Sequence, residues 1–298
     1  MEQPPRPAHV GMAVVNYHSA PDVAGLLASL PRGDDVRLSV VVVDNSTSAE
    51  ELARCTVAAR EASGLAVEVV DAGANLGYAG GNNRAVAHLL ALDDPPDVLV
   101  VVNPDVRWVA GSLAELAAYC LAHDDAIVSV PTRQDGQMGT GIVRYLPLTG
   151  YFRPDAAGST HRFAYAAGHC FALTADRWRA LGGLTEAYFL YCEEIDLALR
   201  HRAAQGRLAT FDAGAVEHEG GGAINGEASG RSLTSYFHGT RSRVLLHRRF
   251  PSLWPSLAPL VVLRTGWAVS LLLTGRVAEG RAVLRALAAG LRDPRPRR

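Results

Sequence analysis

The chain has 298 residues, 48% of them hydrophobic, enough for one large α/β domain with an appendage or for two small domains. All 29 basic residues are arginine, and the formal net charge is −1, so no nucleic-acid partner is expected and disorder is not the default state. The charge is unevenly divided: residues 231–298 carry 13 arginines against Glu279 and Asp293, a net +11, and the remainder carries −12. A basic piece on an acidic body suits an anionic partner such as a membrane surface, with a solvated basic tail as the plainer alternative. Cys55, Cys120, Cys170 and Cys192 lie far apart with no CxxC pair, which suits core thiols of a reducing compartment. The start, MEQPPRPAH, has neither a basic n-region nor an apolar h-region, so a cytoplasmic protein is expected.

In chain order, residues 10–16 read as a buried strand and 21–30 as a helix behind it. Residues 38–43 are an unbroken β-branched run, the pattern of a parallel strand covered on both faces. The pair Ser48-x-x-Glu51 reads as a capping box opening the next helix. A third strand over 66–70, a third helix over 79–92 and an aliphatic strand over 98–102 follow, and Ser112-x-x-Glu115 opens another helix. Short links and strict alternation predict an open parallel α/β sheet in the first 130 residues. Residues 131–161, rich in Gly, Pro, Thr and Arg, read as a long loop or hairpin. Beyond them the pattern predicts one strand over 164–173 and a short helix over 176–181 ended by Gly182-Gly183. An amphipathic helix over 193–205 with Gly206 at its C-cap comes next, then closing strands over 207–211 and 215–218. From Arg231 onward the chain reads as helical, alternating arginine clusters with apolar runs.

Ligands of open α/β sheets bind at the carboxyl ends of the strands. Those ends are polar here: Asn16-Tyr17-His18, Asp44-Asn45 and Asn103-Pro104-Asp105. The turn after the first strand, NYHSAPD, contains no glycine, which excludes an NAD-type G-x-G-x-x-G loop, and the lack of lysine excludes a P-loop. Sugar-1-phosphate nucleotidylyltransferases, with their Gly-rich signature and lysines, are disfavoured. Asn103 and Asp105 place two oxygen-bearing side chains on one side of an extended segment, a pair suited to a hard cation that also holds a diphosphate; an Asx-Pro turn with a capping Asp is the bland reading. Glu193, Glu194 and Asp196 put three carboxylates at a helix start, where the helix dipole favours acids in any protein. The aromatic approach Tyr188-Phe189-Leu190-Tyr191 would set them against an apolar wall. Asp196 is also spaced to pair with Arg200. The run Glu217-His218-Glu219-Gly220-Gly221-Gly222 ends a strand with a histidine and a flexible glycine stretch.

In order, the segments VVNYHS, VVVDNSTS, NLGYAGGNNRA, VVNPDV, GHCFALTADRWRALGGLTEAYFLYCEEIDLALRHRAAQG and VEHEGGG resemble glycosyltransferase family 2, in its bacterial rhamnosyltransferase-like branch. They cover roughly residues 10–222. The resemblance implies a GT-A fold, a Rossmann-like nucleotide-binding open sheet followed by an acceptor half, in a catalytic domain over 1–230 with a basic helical extension over 231–298. It makes Asp44 the carboxylate that reads a pyrimidine ring, with Asn16 and Tyr17 beside it and Asn75, Gly77 and Asn83 near base and ribose. Asn103 and Asp105 stand at the family's D-x-D motif, where Asp105 would ligate Mg²⁺ or Mn²⁺; Asn103 at its first position removes one charge. His218 falls where some relatives supply a further metal ligand. Glu194 falls at the second position of the family's E-D pair, usually Asp, and is the candidate base.

The implied reaction is an inverting, single displacement from a nucleotide sugar, dTDP-rhamnose or another dTDP- or UDP-sugar, onto an acceptor hydroxyl. Lipid-linked, glycan and small-molecule acceptors are the classes the branch implies. A non-catalytic sugar-nucleotide or polysaccharide-binding module is the alternative, and loss of Asp105 or of the acid at 194 would have marked it. In the extension, residues 257–273 form an apolar run interrupted at Arg264, Thr265, Gly266, Trp267 and Ser270, short for a spanning helix. With Trp254 and flanking arginines it suits peripheral contact with the inner face of the cell membrane; packing on the catalytic domain or in a homodimer is the competing expectation.

Overall fold

The computed structural model describes residues 6–33, 35–62, 64–134, 136–218 and 232–294. The N-terminal half alternates β1 (Ala8–Asn16), α1 (Ala20–Ser29), β2 (Val36–Asp44), α2 (Ala49–Glu61), β3 (Ala66–Asp71), α3 (Gly77–Leu90) and β4 (Val98–Val102). These four strands lie parallel, side by side as β4-β1-β2-β3, because their aliphatic runs can be buried on both faces. Then come β5 (Val106–Ala110), α4 (Leu113–Ala122), β6 (Ala126–Ser129), the hairpin β7 (Thr132–Gln134) and β8 (Gln137–Gly139), and the hairpin β9 (Ile142–Leu146) and β10 (Tyr151–Pro154). The next elements are β11 (Ala164–Ala166), β12 (Cys170–Thr174), α5 (Ala175–Leu181), a 3-10 turn (Glu186–Tyr188), α6 (Glu193–Ala203), β13 (Arg207–Thr210) and β14 (Ala215–His218). The extension is α7 (Leu233–Arg249), a 3-10 turn (Pro251–Leu253), α8 (Trp254–Leu273) and α9 (Val277–Arg292).

The main sheet has seven strands in the order β13-β6-β12-β4-β1-β2-β3, and β12 runs antiparallel to both of its neighbours. The first 130 residues are therefore not wholly parallel-sheet: β5 leaves to pair with β14 in a four-stranded sheet, β5-β14-β7-β8. The single strand expected over 164–173 is two, β11 and β12, in different sheets. The break falls at Ala167-Gly168-His169, where a Cβ on Gly168 would collide with the Glu194 carboxylate. Residues 131–161 hold hairpins, the second of the two expected alternatives, and there are two of them.

Caps divide the same way. Ser112 and Glu115 form the full reciprocal box. Ser48 caps α2 by accepting from Glu51 N, but the Glu51 carboxylate turns away to Asn16 Nδ2 (3.2 Å) and Ala20 N (2.8 Å). At the end of α6 Gln205, not Gly206, adopts the left-handed conformation (φ 59°); Gly206 leaves room for the buried His201 ring. Gly182 does end α5 in the left-handed region.

Two apolar layers sandwich the sheet. One, with Leu26, Leu27, Leu113 and Leu116, packs α1 and α4 on its face; the other, with Leu89, Phe171 and Trp178, packs α3 and α5. A third cluster joins the extension to the catalytic body, with Tyr145, Tyr188 and Ile195 against Leu245, Leu246 and Leu253. A fourth, including Val244, Leu260, Ala268 and Val283, holds α7, α8 and α9 together. The four cysteines are free and buried, as read from their spacing.

Candidate active site

The register of the sheet sets the site. Asn16 at the end of β1 stands opposite Asp44 at the end of β2, and Cys170 at the start of β12 stands opposite Val102 at the end of β4. Asn16, Asp44 and Asn103-Pro104-Asp105 thereby come to one edge, and Asn103 N donates to His169 O at 2.9 Å. A cleft of about 750 Å³ opens there. Tyr17, Asn75, Gly77, Asn103, Asp105 and His218 line it, so six of the ten candidate residues meet in one place.

The other four do not line it. Asn16 and Asp44 are buried beneath the Tyr17 end of the cleft. Asp44 accepts from Asn16 Nδ2 (2.8 Å), Ser46 N (3.1 Å) and Ser46 Oγ (2.8 Å), while Asn16 Oδ1 accepts from the Ser19 amide and hydroxyl. Asn83 is a staple: its amide donates to Leu184 O and Glu186 Oε1 and accepts from Leu184 N, fixing α3 to the loop before α6. Glu194 stands just behind the wall, against Gly168 and the Tyr78 hydroxyl. Asn75 Oδ1 accepts from Gly77 N, and Gly77 takes φ 69° with the Phe189 carbonyl where a Cβ would sit.

Asp105 and His218 sit together, Oδ2 to Nε2 at 3.4 Å. Burial works to raise the Asp105 carboxyl, but the hydrogen bond and charge of His218 outweigh it and hold it below its usual value. Its Oδ1 is buried with no hydrogen-bond partner among the described residues. An ionised carboxylate with one oxygen unengaged, beside an imidazole and an amide, fits a divalent cation. Among the described residues no group of three or more His, Cys, Asp or Glu forms a closed cage, so such an ion would take its remaining ligands from substrate oxygens and water. Glu219 to Gly222 lie outside the described residues.

Burial pushes the Glu194 carboxyl up to about 7. Glu193, fully buried with neither carboxylate oxygen hydrogen-bonded among the described residues, is pushed well above the usual range by burial and by the charge of Glu194. Asp196 is structural: it accepts from Thr185, Tyr188 and Arg200 and pairs with Arg249 at 3.0 Å. The approach to this helix is strained, since Phe189, Tyr191 and Cys192 have φ of 67°, 69° and 76°. The extension holds it. Ser242 Oγ donates to Tyr188 O (3.0 Å) and Leu190 O (2.8 Å), Arg241 to Ala187 O (2.9 Å), and Tyr191 to Ser235 Oγ (3.1 Å), while His238 stacks on Phe189.

Several of these residues were not picked out in the sequence. His169 stacks on His218 with ring centroids 4.7 Å apart, and its Nε2 lies 2.5 Å from Thr132 Oγ1; burial and the neighbouring His218 press it down to about 3, so it is a neutral support. Its signal was the Gly168-His169 interruption of an apolar strand. Ser232, Thr234 and His238 bring α7 into the cleft wall, and no periodicity marks that role.

No protein-family profile matches the chain. A search of solved structures finds a mannosyltransferase of Pyrobaculum calidifontis bound to GDP-Man and Mn²⁺, with TM-score 0.55 and 18% identity over 95% of this chain and 87% of that one. It also finds S. aureus TarS bound to UDP-GlcNAc, with TM-score 0.58 and 14% identity over 95% and 80%. GalNAc-T7 with UDP, GalNAc and Mn²⁺ aligns at TM-score 0.63 and 10% identity over 82% of this chain and 48% of that one. The chain has the GT-A glycosyltransferase fold. By sequence it is 27% identical, over 65% of its length, to the low-salt glycan biosynthesis hexosyltransferase Agl10 of Haloferax volcanii. It is 28% identical over 63% of its length to an N-acetylglucosaminyl-diphospho-decaprenol L-rhamnosyltransferase of Mycobacterium tuberculosis. It spans 61% of the first relative and 69% of the second. Both are glycosyltransferases, so the likeness to the rhamnosyltransferase-like branch of family 2 holds for this GT-A chain.

Proposed function

We propose that the chain transfers a sugar from a nucleotide-sugar donor to an acceptor hydroxyl, with inversion at the anomeric carbon. The observation that carries the reading is a carboxyl tuned to about 7, Glu194, beside the cleft that holds Asp105 and His218. A group of that pKa is half ionised at neutral pH and suits general-base work. Glu194 takes the proton of the acceptor hydroxyl as that oxygen forms its bond to the anomeric carbon. The bond from that carbon to the diphosphate oxygen breaks, its electron pair leaves with the nucleoside diphosphate, and no covalent enzyme intermediate forms. Asp105, with His218 and Asn103, would hold a divalent cation, which neutralises charge on the diphosphate when bound. Asp22 lines the same cleft and lies 3.5 Å from the Arg107 guanidinium.

The donor we assign is a pyrimidine nucleotide sugar, most simply dTDP-rhamnose or another deoxysugar, with a lipid-linked acceptor. The mycobacterial relative is a rhamnosyltransferase named for a decaprenol-diphosphate acceptor, and Asp44 lies at the Tyr17 end, where a base would stack. The mannosyltransferase neighbour carries GDP-Man, which makes base choice the sharpest test. Supplying dTDP-, UDP- and GDP-sugars with Mg²⁺ or Mn²⁺ should release nucleoside diphosphate from the pyrimidine donors first, and NMR of the product should give the opposite anomer. Retention of configuration, or release confined to GDP donors, would overturn those respective parts of the assignment. Absence of release from every donor would favour a binding module.

A further inference from the structure

Among the described residues nothing covers the outer face of α8. Over about 30 Å of helix it exposes Val262 (69%), Leu263, Val269 and Leu273 (83%) without a single ionised side chain. The helix's one charged group, Arg264, is turned inward, over the rings of Tyr151 and Trp267 and toward the Gly150 carbonyl. That contact joins the β9–β10 tip to α8, and the tip adds exposed Leu148 and Tyr151 to the same region. α9 lies along α8, with Gly280 close to Ala268 and Leu272, and exposes Arg281 and Arg285 beside it. Across 232–294 nine arginines face two acids.

From Pro251 to Leu273 the segment runs 23 helical residues with mean hydropathy 1.6, long and apolar enough to cross a membrane. The run expected to be short is thus extended by Trp254 to Ser256 and by continuous helix through Gly266. Spanning, however, would strip away the face formed by Ser256, Leu260, Arg264 and Ala268, which packs on α7, α9 and the hairpin and is buried. An apolar face this long, uncharged along its length and bordered by arginines, matches a surface that is apolar within and anionic at its boundary. A second copy docked two-fold across this face would cover its apolar side chains but would supply no anionic boundary to match the arginines unless its own acids reached them.

We infer that α8 and the β9–β10 tip form a docking surface for an anionic lipid bilayer, with the helix lying in the interface and Arg281 and Arg285 contacting headgroups. The inference is independent of the sugar-transfer reading, because its test needs no substrate. Full-length protein should float with phosphatidylcholine vesicles containing phosphatidylglycerol, and weakly or not at all with phosphatidylcholine alone. Val262→Glu with Val269→Glu, both at exposed positions, should abolish flotation with an unchanged circular dichroism spectrum. Arg281→Gln with Arg285→Gln should lower affinity for the anionic vesicles roughly thirtyfold, from about 1 kcal/mol per arginine. Absence of flotation on anionic vesicles, or undiminished flotation of the double glutamate variant, overturns the proposal. So does a dimer in sedimentation that the two glutamates dissolve, which would make the occupant a second copy.

Discussion

At Glu194, environment does more than identity. A glutamate in water titrates near 4.3; burial carries this one to about 7, so it is protonated in acid and ionised above neutrality. A base works only when ionised, so the proposed transfer should rise with pH through about 7, seen as a limb in kcat/KM. The linkage to stability has the opposite sign. The raised carboxyl stays protonated in the fold where the unfolded chain has already ionised, so stability falls between about pH 4.3 and 7. Glu194→Gln should cut turnover about 10²–10⁴-fold and leave donor affinity intact, measured as rate and nucleotide titration on one preparation; near-full activity would shift the role to Glu193, since Asp196 is committed to Arg200 and Arg249. Asp105→Ala should weaken nucleoside diphosphate far more than nucleoside, by calorimetry with Mn²⁺ present, and equal losses would remove Asp105 from the cation site. Asp105, His218 and Glu194 could be named in the sequence because each sits in a short ordered motif. His169 could not, because its value comes from a strand 37 residues from Thr132 and from a ring stacked across two sheets.

Elements whose signal is local were legible. The aliphatic runs of β1, β2 and β4 and the box at Ser112 are written in consecutive residues, and α1, α3 and α5 appeared within a few residues of their bounds, α2 and α4 at their expected starts. What failed was long-range pairing. Nothing within Val106–Ala110 says that it will join β14 rather than the main sheet, and the insertion of antiparallel β12 between β4 and β6 is decided by partners far along the chain. The service of α7 to the Tyr188–Cys192 turn was equally hidden, because Ser242 is an ordinary polar residue until two carbonyls converge on it. Ser242→Ala should lower kcat about fivefold, for a lost buried hydrogen bond of roughly 1 kcal/mol, while the KM for donor holds. Loss of donor binding in equal measure would show that Ser242 serves the whole cleft.

For the molecule as a whole, the extension is part of the fold. Arg249 and Asp196 are a buried pair from opposite sides of the expected boundary, 5% and 0% exposed in their side chains. Arg249→Ala should cost about 3 kcal/mol, the low end for a broken buried pair, because Arg200 still faces Asp196; denaturant titration measures it, and a loss below about 1 kcal/mol would make the contact incidental. A chain cut before Ser232 exposes Tyr145, Tyr188 and Ile195 and should not fold cooperatively. The basic extension was legible as a unit of charge, but its apolar contacts with the body were not, since helical arginine-rich sequence reads alike whether its inner face meets protein or lipid.

The three left-handed residues before α6 carry one more consequence. Phe189, Tyr191 and Cys192 hold a conformation that costs of order 1 kcal/mol or more apiece, and α7, remote in sequence, supplies bonds that oppose its release. Warmth that breaks the Arg241 and Ser242 bonds lets the turn relax while α7 stays packed on the body and the central sheet, with its own buried layers, is still intact. The proteins' working life on heating is then set by a hinge of four residues, and activity should disappear several degrees before the sheet melts.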